Sequence, residues 1–140
     1  MIFMENNPLS FITELKSLTS SDAIYQKIIE IGKLSPYKKS WEFSENERVL
    51  GCQSLLYVKL EVLDGKCHFC FYSDAIISAG LAALLIHFYE GKTPKEVLTT
   101  PPTFLKEINL GHLLTPGRSN GVNSLYKKIL ELVIASCKSY

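Results

Sequence analysis

The spacing of apolar residues predicts that the first third of the chain is helical. From residue 21 onward, apolar side chains recur at intervals of three and four, as in a helix that buries one face. These positions are Ile24, Ile28 and Ile31, with Tyr25 and Ile29 beside them. Ser21 and Asp22 precede the stripe, and Pro36 is expected to end the helix because proline breaks the helical hydrogen-bond ladder.

The pattern is lost between residues 34 and 46, where Ser, Lys, Glu and aromatic residues follow one another without a period. We interpret this segment as a long loop held against the domain by Tyr37 and Trp41. A short strand over residues 47–50 is expected to follow it.

The apolar period becomes two between residues 55 and 73, which is typical of strands with one buried face. The alternating residues of the first strand are Leu56, Tyr57, Val58, Lys59, Leu60, Glu61 and Val62. The Asp64-Gly65 pair then turns the chain into a second strand over residues 66–72. The sequence therefore predicts a β-hairpin with a type I′ turn.

A long apolar segment over residues 75–89 predicts a core helix. Asp74 is the expected N-cap and Gly91 lies just past the end. The expected core stripe is Ile77, Leu81, Leu84 and Phe88. Ser78 and His87 interrupt the apolar run, which is shorter than the roughly 18–20 residues that cross a bilayer.

Three shorter signals describe the rest of the chain. Thr93-Pro94-Lys95-Glu96 is a capping box with proline at the first helical position, and Pro101-Pro102 ends that helix. Thr103 is expected to cap another helix that stops near Gly111. The last helix is expected over about residues 122–137, because helical spacing relates Val122, Leu125, Tyr126, Ile129 and Val133.

The order of elements along the chain predicts an α+β fold. Helices come first, a hairpin follows, and more helices come last, with no strand–helix–strand alternation. We expect a single domain over residues 1–140, with a small antiparallel sheet of two or three strands packed against helices.

Composition narrows the function classes. The 140 residues are 46% hydrophobic, and 15 basic side chains face 14 acidic ones for a formal net charge of +1. Nucleic acid and membranes are therefore not expected as the main partners. The first ten residues lack the basic and apolar regions of a secretory signal, so we expect a cytoplasmic protein whose four cysteines are reduced thiols.

The Cys67-x-x-Cys70 spacing is found in zinc sites and in redox pairs. Here it lies within a predicted strand, where residues three apart point to opposite faces. We therefore interpret both cysteines as packing residues and expect neither a bound metal nor a cofactor. His87 and His112 are likewise expected to be partly buried structural residues.

Two other residues are candidates for chemistry. Cys52 follows Gly51 at the junction between the loop and the first strand, although a lone cysteine is more often a packed residue than a nucleophile. Residues 115–121 resemble a turn into the last helix, with Ser119 or Asn120 as its cap. In that turn Arg118 is either simply solvated or, if near Cys52, able to favour the thiolate and hold an anion.

Three motifs in register resemble the SufE family of sulfur acceptors over roughly residues 20–135. They are Gly51-Cys52-Gln53-Ser54 before the hairpin, Ser73-Asp74-Ala75 opening the apolar helix that ends in Gly91-Lys92-Thr93-Pro94, and Leu114-Thr115-Pro116-Gly117-Arg118-Ser119-Asn120-Gly121. The resemblance implies a SufE/NifU-like fold. It also implies that Cys52 accepts sulfane sulfur as a persulfide from a SufS-type cysteine desulfurase and delivers it to a SufBCD-type scaffold for iron–sulfur cluster assembly.

The resemblance implies that the chain is a partner and activator of the desulfurase rather than a stand-alone enzyme. Family members often have a histidine just before the Leu-Thr-Pro turn, whereas this chain has an extra residue after His112, so no role passes to His112. Two alternatives stay open. One is an iron–sulfur or zinc scaffold of the related U-type fold, and the other is an interaction protein that needs no thiol.

Overall fold

A computed structural model describes residues 8–40, 43–108 and 110–138, and the side chains of Pro8, Leu9 and His112 lie outside that description. Trp41, expected to anchor the long loop, lies outside the described residues as well. The elements in chain order are α1 (Pro8–Ser17), α2 (Ser21–Leu34), β1 (Leu56–Leu63), β2 (Lys66–Ser73), α3 (Ile76–Tyr89), α4 (Pro94–Thr99) and α5 (Pro116–Cys137).

The two strands form an antiparallel hairpin whose register runs from Leu56 opposite Ser73 to Leu63 opposite Lys66. Asp64 and Gly65 both have positive φ, 53° and 74°, which is the backbone of a type I′ turn. The predicted hairpin and turn are confirmed. Because β2 and α2 pack on α3 while α5 packs on β1, the core lies between the hairpin and the helices. The predicted α+β fold is confirmed.

The strand expected over residues 47–50 is wrong. Glu45–Glu47 is a 3₁₀ turn, and Arg48 makes an isolated bridge to Tyr57. Val49 is buried and donates its N–H to the Leu56 carbonyl at 2.8 Å. Gly51 then turns the chain at a φ of +90°, so the extended segment is too short for a ladder.

Helix α2 has the predicted buried stripe, but its N-cap is Ser20, whose Oγ accepts from the Ala23 N–H at 3.2 Å. Helix α3 is buried on almost every side, including Ile77, Leu81 and Leu84 of the predicted stripe, while Phe88 is half-buried. It crosses α2 so closely that a Cβ on Gly32 would lie 2.6 Å from the Gly80 nitrogen. The two glycines therefore set the distance between these helices.

Asp74 does not cap α3 as expected. The N-cap position belongs to Ala75, which makes no side-chain capping bond. The Asp74 carboxylate instead accepts from the Leu55 N–H at 3.0 Å. This aspartate therefore ties the end of the hairpin to the start of β1.

The capping box of α4 is confirmed, because Thr93 Oγ1 accepts from the Glu96 N–H and the Glu96 carboxylate accepts from the Thr93 N–H. The helix expected from Thr103 to Gly111 is wrong. The Thr103 N–H bonds to the Pro101 carbonyl at 2.8 Å, which begins a tight turn instead of a cap. Thr103–Lys106 and Gly111–Leu113 are separate 3₁₀ turns.

Helix α5 begins at Pro116, six positions before the predicted start. Thr115 is its N-cap, with Oγ1 accepting from the Arg118 N–H at 3.3 Å, so the expected caps at Ser119 and Asn120 are wrong. Proline at the first helical position and threonine before it outweigh the turn preference of the small residues that follow. Within the described ranges, no helix combines the length and apolar character needed to span a bilayer.

Candidate functional site

Cys52 lies in the loop between the 3₁₀ turn at residues 45–47 and β1. Gly51 has a φ of +90°, a conformation that other L-residues adopt at a cost. A Cβ at this position would also lie 2.6 Å from Ser124 Oγ on α5. The backbone conformation therefore favours glycine before Cys52, and the turn brings this position against Ser124 of α5.

The next two loop residues continue along the same face of α5. The Cys52 thiol is directed at the Gly121 carbonyl, with 3.8 Å between sulfur and oxygen, and a Cβ on Gly121 would lie 3.4 Å from the sulfur. The Gln53 carboxamide lies against Gly117. We call this contact of residues 51–53 with Gly117, Gly121 and Ser124 the loop–helix seam.

The seam borders a cavity of about 290 Å³ between the hairpin, α3 and the first turns of α5. Its apolar lining includes Leu56, Ile77, Leu81, Ala82, Val122 and Leu125. Its polar lining includes Cys52, Gln53, Ser54, Ser78, Thr115 and Arg118. The structure therefore places both candidate residues, Cys52 and Arg118, on the lining of one cavity.

Cys52 is half-buried, and burial raises the pKa of its thiol because the thiolate loses hydration. At neutral pH the thiol is therefore protonated in this arrangement, and the Gly121 carbonyl accepts its weak hydrogen bond. Such a thiol is a poor nucleophile until it is exposed to water or to a cation.

Arg118 is half-buried in the first turn of α5. Its guanidinium Nη1 donates to the Leu113 carbonyl at 3.1 Å. Burial, and not the guanidinium, sets the direction of the Cys52 pKa shift in this conformation. A role for Arg118 toward the thiolate therefore belongs to a state in which the two side chains approach each other.

The remaining cysteines lie in three different environments. Cys67 is fully buried with Phe69 and Phe71, and burial raises the pKa of its thiol to about 11. Cys70 lies on the opposite face of β2, and Cys137 is exposed at the end of α5. The prediction that Cys67 and Cys70 face opposite sides is confirmed. In the described part of the chain, no three His, Cys, Asp or Glu side chains are grouped to hold a metal ion.

His87 is fully buried rather than partly buried, at the end of α3 away from the cavity. Its Nε2 lies 2.9 Å from Ser35 Oγ, and its ring contacts those of Phe11 and Tyr37. Burial lowers the pKa of His87 to about 4. The imidazole is therefore neutral at physiological pH and contributes to packing.

The loop–helix seam is a feature of the structure that the sequence patterns did not predict. Gly117, Gly121 and Ser124 are spaced by four and three, so they form one small-residue face once the segment is helical. Because a turn was predicted over residues 115–121, this helix face was not predicted. The signal that could have revealed it is Thr115-Pro116, a cap followed by proline at the first helical position.

Comparison with known proteins identifies the family to which this chain belongs. The family model SufE, described as an Fe-S metabolism associated domain, matches residues 10–133. The chain belongs to the SufE family. The match includes the loop–helix seam and both candidate residues.

Relatives with known names or structures are consistent with this membership. The chain is 35% identical over 112 residues to an uncharacterized SufE-like protein of Synechocystis, covering 79% of this chain and 70% of that protein. It is 31% identical over 115 residues to the sulfur acceptor protein CsdE of Escherichia coli, covering 81% and 78%. The solution structure of a hypothetical protein of Thermus thermophilus superposes on it with a TM-score of 0.76 at 26% identity, covering 94% and 96%.

One relative shows the same domain within a longer protein. The chloroplastic quinolinate synthase of Arabidopsis thaliana is 30% identical over 122 residues, which cover 86% of this chain but 17% of that enzyme. A segment similar to this chain therefore occurs within a longer protein as well as in shorter ones.

Proposed function

We propose that the protein is a sulfur acceptor of Fe–S metabolism, and that Cys52 receives sulfane sulfur as a persulfide from a cysteine desulfurase. The observation that carries this proposal is the position of Cys52. Its thiol lies in the loop after the Gly51 turn, on the lining of a largely apolar cavity that also includes an arginine. Membership of the SufE family and similarity to a named sulfur acceptor support the same role.

The transfer is a thiol exchange that needs no cofactor. The Cys52 thiolate attacks the outer sulfur of a cysteine persulfide on the desulfurase, a new S–S bond forms on Cys52, and the donor cysteine leaves as a thiolate. The Cys52 proton goes to solvent or to the departing thiolate. Sulfane sulfur changes carrier, and no external oxidant or reductant is consumed.

The resting arrangement suits a carrier. Burial keeps the thiol protonated and limits its contact with cytosolic oxidants. For transfer, we infer that residues 51–53 leave the seam and extend Cys52 into the partner's active site. In that extended state, Arg118 of this chain lies close enough to Cys52 to stabilise the thiolate or persulfide. Small residues along the seam favour this release because few side-chain contacts are lost.

We also propose specific partners for both steps of the transfer. We assign the donor as a SufS-type desulfurase, which the chain activates by removing sulfur, and the recipient as a SufBCD-type scaffold. We place the reaction in the cytoplasm, where four unpaired thiols are stable. We treat residues 1–140 as one domain.

The alternatives predict different thiol behaviour. A U-type scaffold binds its cluster or metal through several convergent ligands, whereas Cys67 and Cys70 lie on opposite faces of β2 and the described residues include no group of three His, Cys, Asp or Glu side chains placed to hold a metal. A pure interaction protein tolerates Cys52→Ser without loss of function. The placement of Cys52 beside the cavity favours the carrier over both.

The test is peptide mapping after incubation with a SufS-type desulfurase and L-cysteine. We expect one added sulfur on the peptide that contains Cys52, removed by a mild reductant. Equal labelling of peptides containing Cys67 or Cys70 would contradict the assignment. About one zinc or iron per purified chain, lost on Cys52→Ser, would favour the scaffold.

A further inference from the structure

Leu50 is the most exposed large hydrophobic side chain in the described residues. It is 77% exposed, compared with 58% for Leu34 and 51% for Ile76. It lies two positions before Cys52, directly before the Gly51 turn. A leucine held in water beside a candidate transfer site is a suitable anchor for a partner's apolar pocket.

Cationic side chains line one groove together with this leucine. A groove of about 190 Å³ is lined by Arg48, Leu50, Ser124, Lys127, Lys128 and Glu131. Among these described residues three are cationic and one is acidic. Since the whole chain carries a formal charge of only +1, the groove is a local concentration of positive charge.

The groove is joined to the loop–helix seam. Ser124 belongs to both, because its hydroxyl contacts the Gly51 position. Lys128 Nζ donates to the Asn46 carbonyl at 2.7 Å, which holds the preceding turn against α5. Lys127 is exposed on the neighbouring position. A partner bound here would therefore contact both the Cys52 loop and α5.

We propose that Leu50 together with Arg48, Lys127 and Lys128 forms a docking surface for an apolar pocket with an acidic rim on the cysteine desulfurase. This inference rests on the proposed function and adds the contact residues and the chemistry of the partner's face. Opposite charges around a central apolar anchor guide encounter and fix orientation more than they raise affinity. The surface would therefore align Cys52 with the donor before the loop extends.

The experiment measures the rate of persulfide formation on Cys52 against carrier concentration, with a SufS-type desulfurase of the same organism and L-cysteine. We expect Lys127→Glu to raise the KM for the carrier about fivefold at low salt, with kcat unchanged. At 1 M salt, where the Debye length is about 3 Å, this difference should nearly disappear. Leu50→Ala should raise KM about tenfold at both salt concentrations.

Matched controls lie at the end of α2, where Lys33 adjoins the exposed Leu34. We expect Lys33→Glu and Leu34→Ala to leave KM within about twofold of the parent, and all four variants to melt near the parent temperature. If Lys127→Glu and Leu50→Ala behave like these controls, the docking surface is wrong. A KM increase that persists at 1 M salt for Lys127→Glu would overturn the acidic-rim assignment.

Two further outcomes distinguish failure of the proposed function from failure of the desulfurase assignment. If the parent protein gains no sulfur on Cys52 at any concentration, the proposed function itself fails. If the parent sediments as a dimer that Lys127→Glu dissociates, the surface binds a second copy of this chain and the desulfurase assignment is overturned.

Discussion

Cys52 and Arg118 line the same cavity, but their polar contacts are made to different backbone carbonyls. The thiol is directed at Gly121, and the guanidinium donates to Leu113. Neither contact activates the thiol, and burial raises its pKa. At the scale of residues, the structure therefore places the candidate nucleophile, Cys52, in a conformation that favours the protonated thiol.

We predict that Arg118→Ala slows persulfide formation on Cys52 about tenfold or more, because a close charge contact in a partly desolvated interface contributes on the order of 1.5 kcal/mol. Stability should change little, since the lost hydrogen bond to Leu113 contributes about 1 kcal/mol, or a few degrees in Tm. Arg118→Lys should restore part of the rate, because lysine keeps the charge without the planar fork. The rate of persulfide formation on Cys52 and the Tm should be measured for each variant. An unchanged rate in Arg118→Ala would show that Arg118 has no role in the transfer.

A second prediction concerns the ionisation of Cys52. Alkylation requires the thiolate, so a raised pKa makes Cys52 slower to react at neutral pH and faster as pH rises. We expect iodoacetamide at pH 7 to modify the exposed Cys137 before Cys52 in the free protein. The Cys52 rate should increase about tenfold per pH unit up to pH 9. Faster modification of Cys52 than of Cys137 at pH 7 would contradict the resting state described above.

At the scale of elements, the contact of α2 with α3 depends on two glycines. A Cβ on Gly80 would collide with the carbonyl oxygen of Ile28, and backbone cannot move aside as a flexible side chain can. We predict that Gly80→Ala destabilises the protein by about 2–3 kcal/mol, although alanine gains about 1 kcal/mol in helix propensity. Urea unfolding measures this change.

Gly117→Ala is the matched control, since both glycines are helical. The atoms nearest to its new Cβ would be those of the Gln53 carboxamide, at the end of a side chain that can rotate away. This variant should therefore unfold within about 1 kcal/mol of the parent. Equal stability of Gly80→Ala and the parent would show that the helices can separate without cost.

The elements with a strong local signal were predictable from the sequence. Asp64-Gly65 between two alternating segments specifies the hairpin, and Thr93 with Glu96 specifies the start of α4. The start of α5 was not predictable in the same way, because Gly117, Asn120 and Gly121 individually favour turns. Contact with a distant loop supports their place in the helix, since Cys52 of that loop lies 69 positions before Gly121.

The same distinction applies to the candidate site. Sequence motifs identified Cys52 and Arg118 as candidates, because glycine precedes the thiol and the arginine lies in a motif that resembles one of the family. The cavity and the seam could not be predicted, since they arise only when loop, α3 and α5 pack together. Asp74 shows the same limit: a residue suited to capping bonds a distant backbone N–H instead.

For the whole molecule, α3 connects two regions with different roles. Its first turns line the cavity beside Cys52, whereas His87 near its end packs among Ser35, Phe11 and Tyr37. Lowering the pH affects the stability of the region around His87. Because the folded-state pKa of His87 is about 4, its contribution to stability is present above the unfolded value of about 6.5 and is lost as pH falls toward 4.

We predict that this single histidine makes the protein about 2 kcal/mol less stable at pH 5 than at pH 7.5, since unfolding exposes an imidazole that then binds a proton. Urea unfolding at the two pH values measures the difference. His87→Phe should remove most of it, even if the variant is less stable overall. A variant with the same pH dependence as the parent would assign the effect to other groups.

In the proposed function, one thiol, that of Cys52, carries the sulfur. A variant with Cys67→Ala, Cys70→Ala and Cys137→Ser retains Cys52 as its single cysteine. After incubation with a SufS-type desulfurase and ³⁵S-labelled cysteine, this variant should acquire reductant-labile label at about the parent level, and Cys52→Ser should acquire none. Label on Cys52→Ser equal to that on the parent would contradict the account.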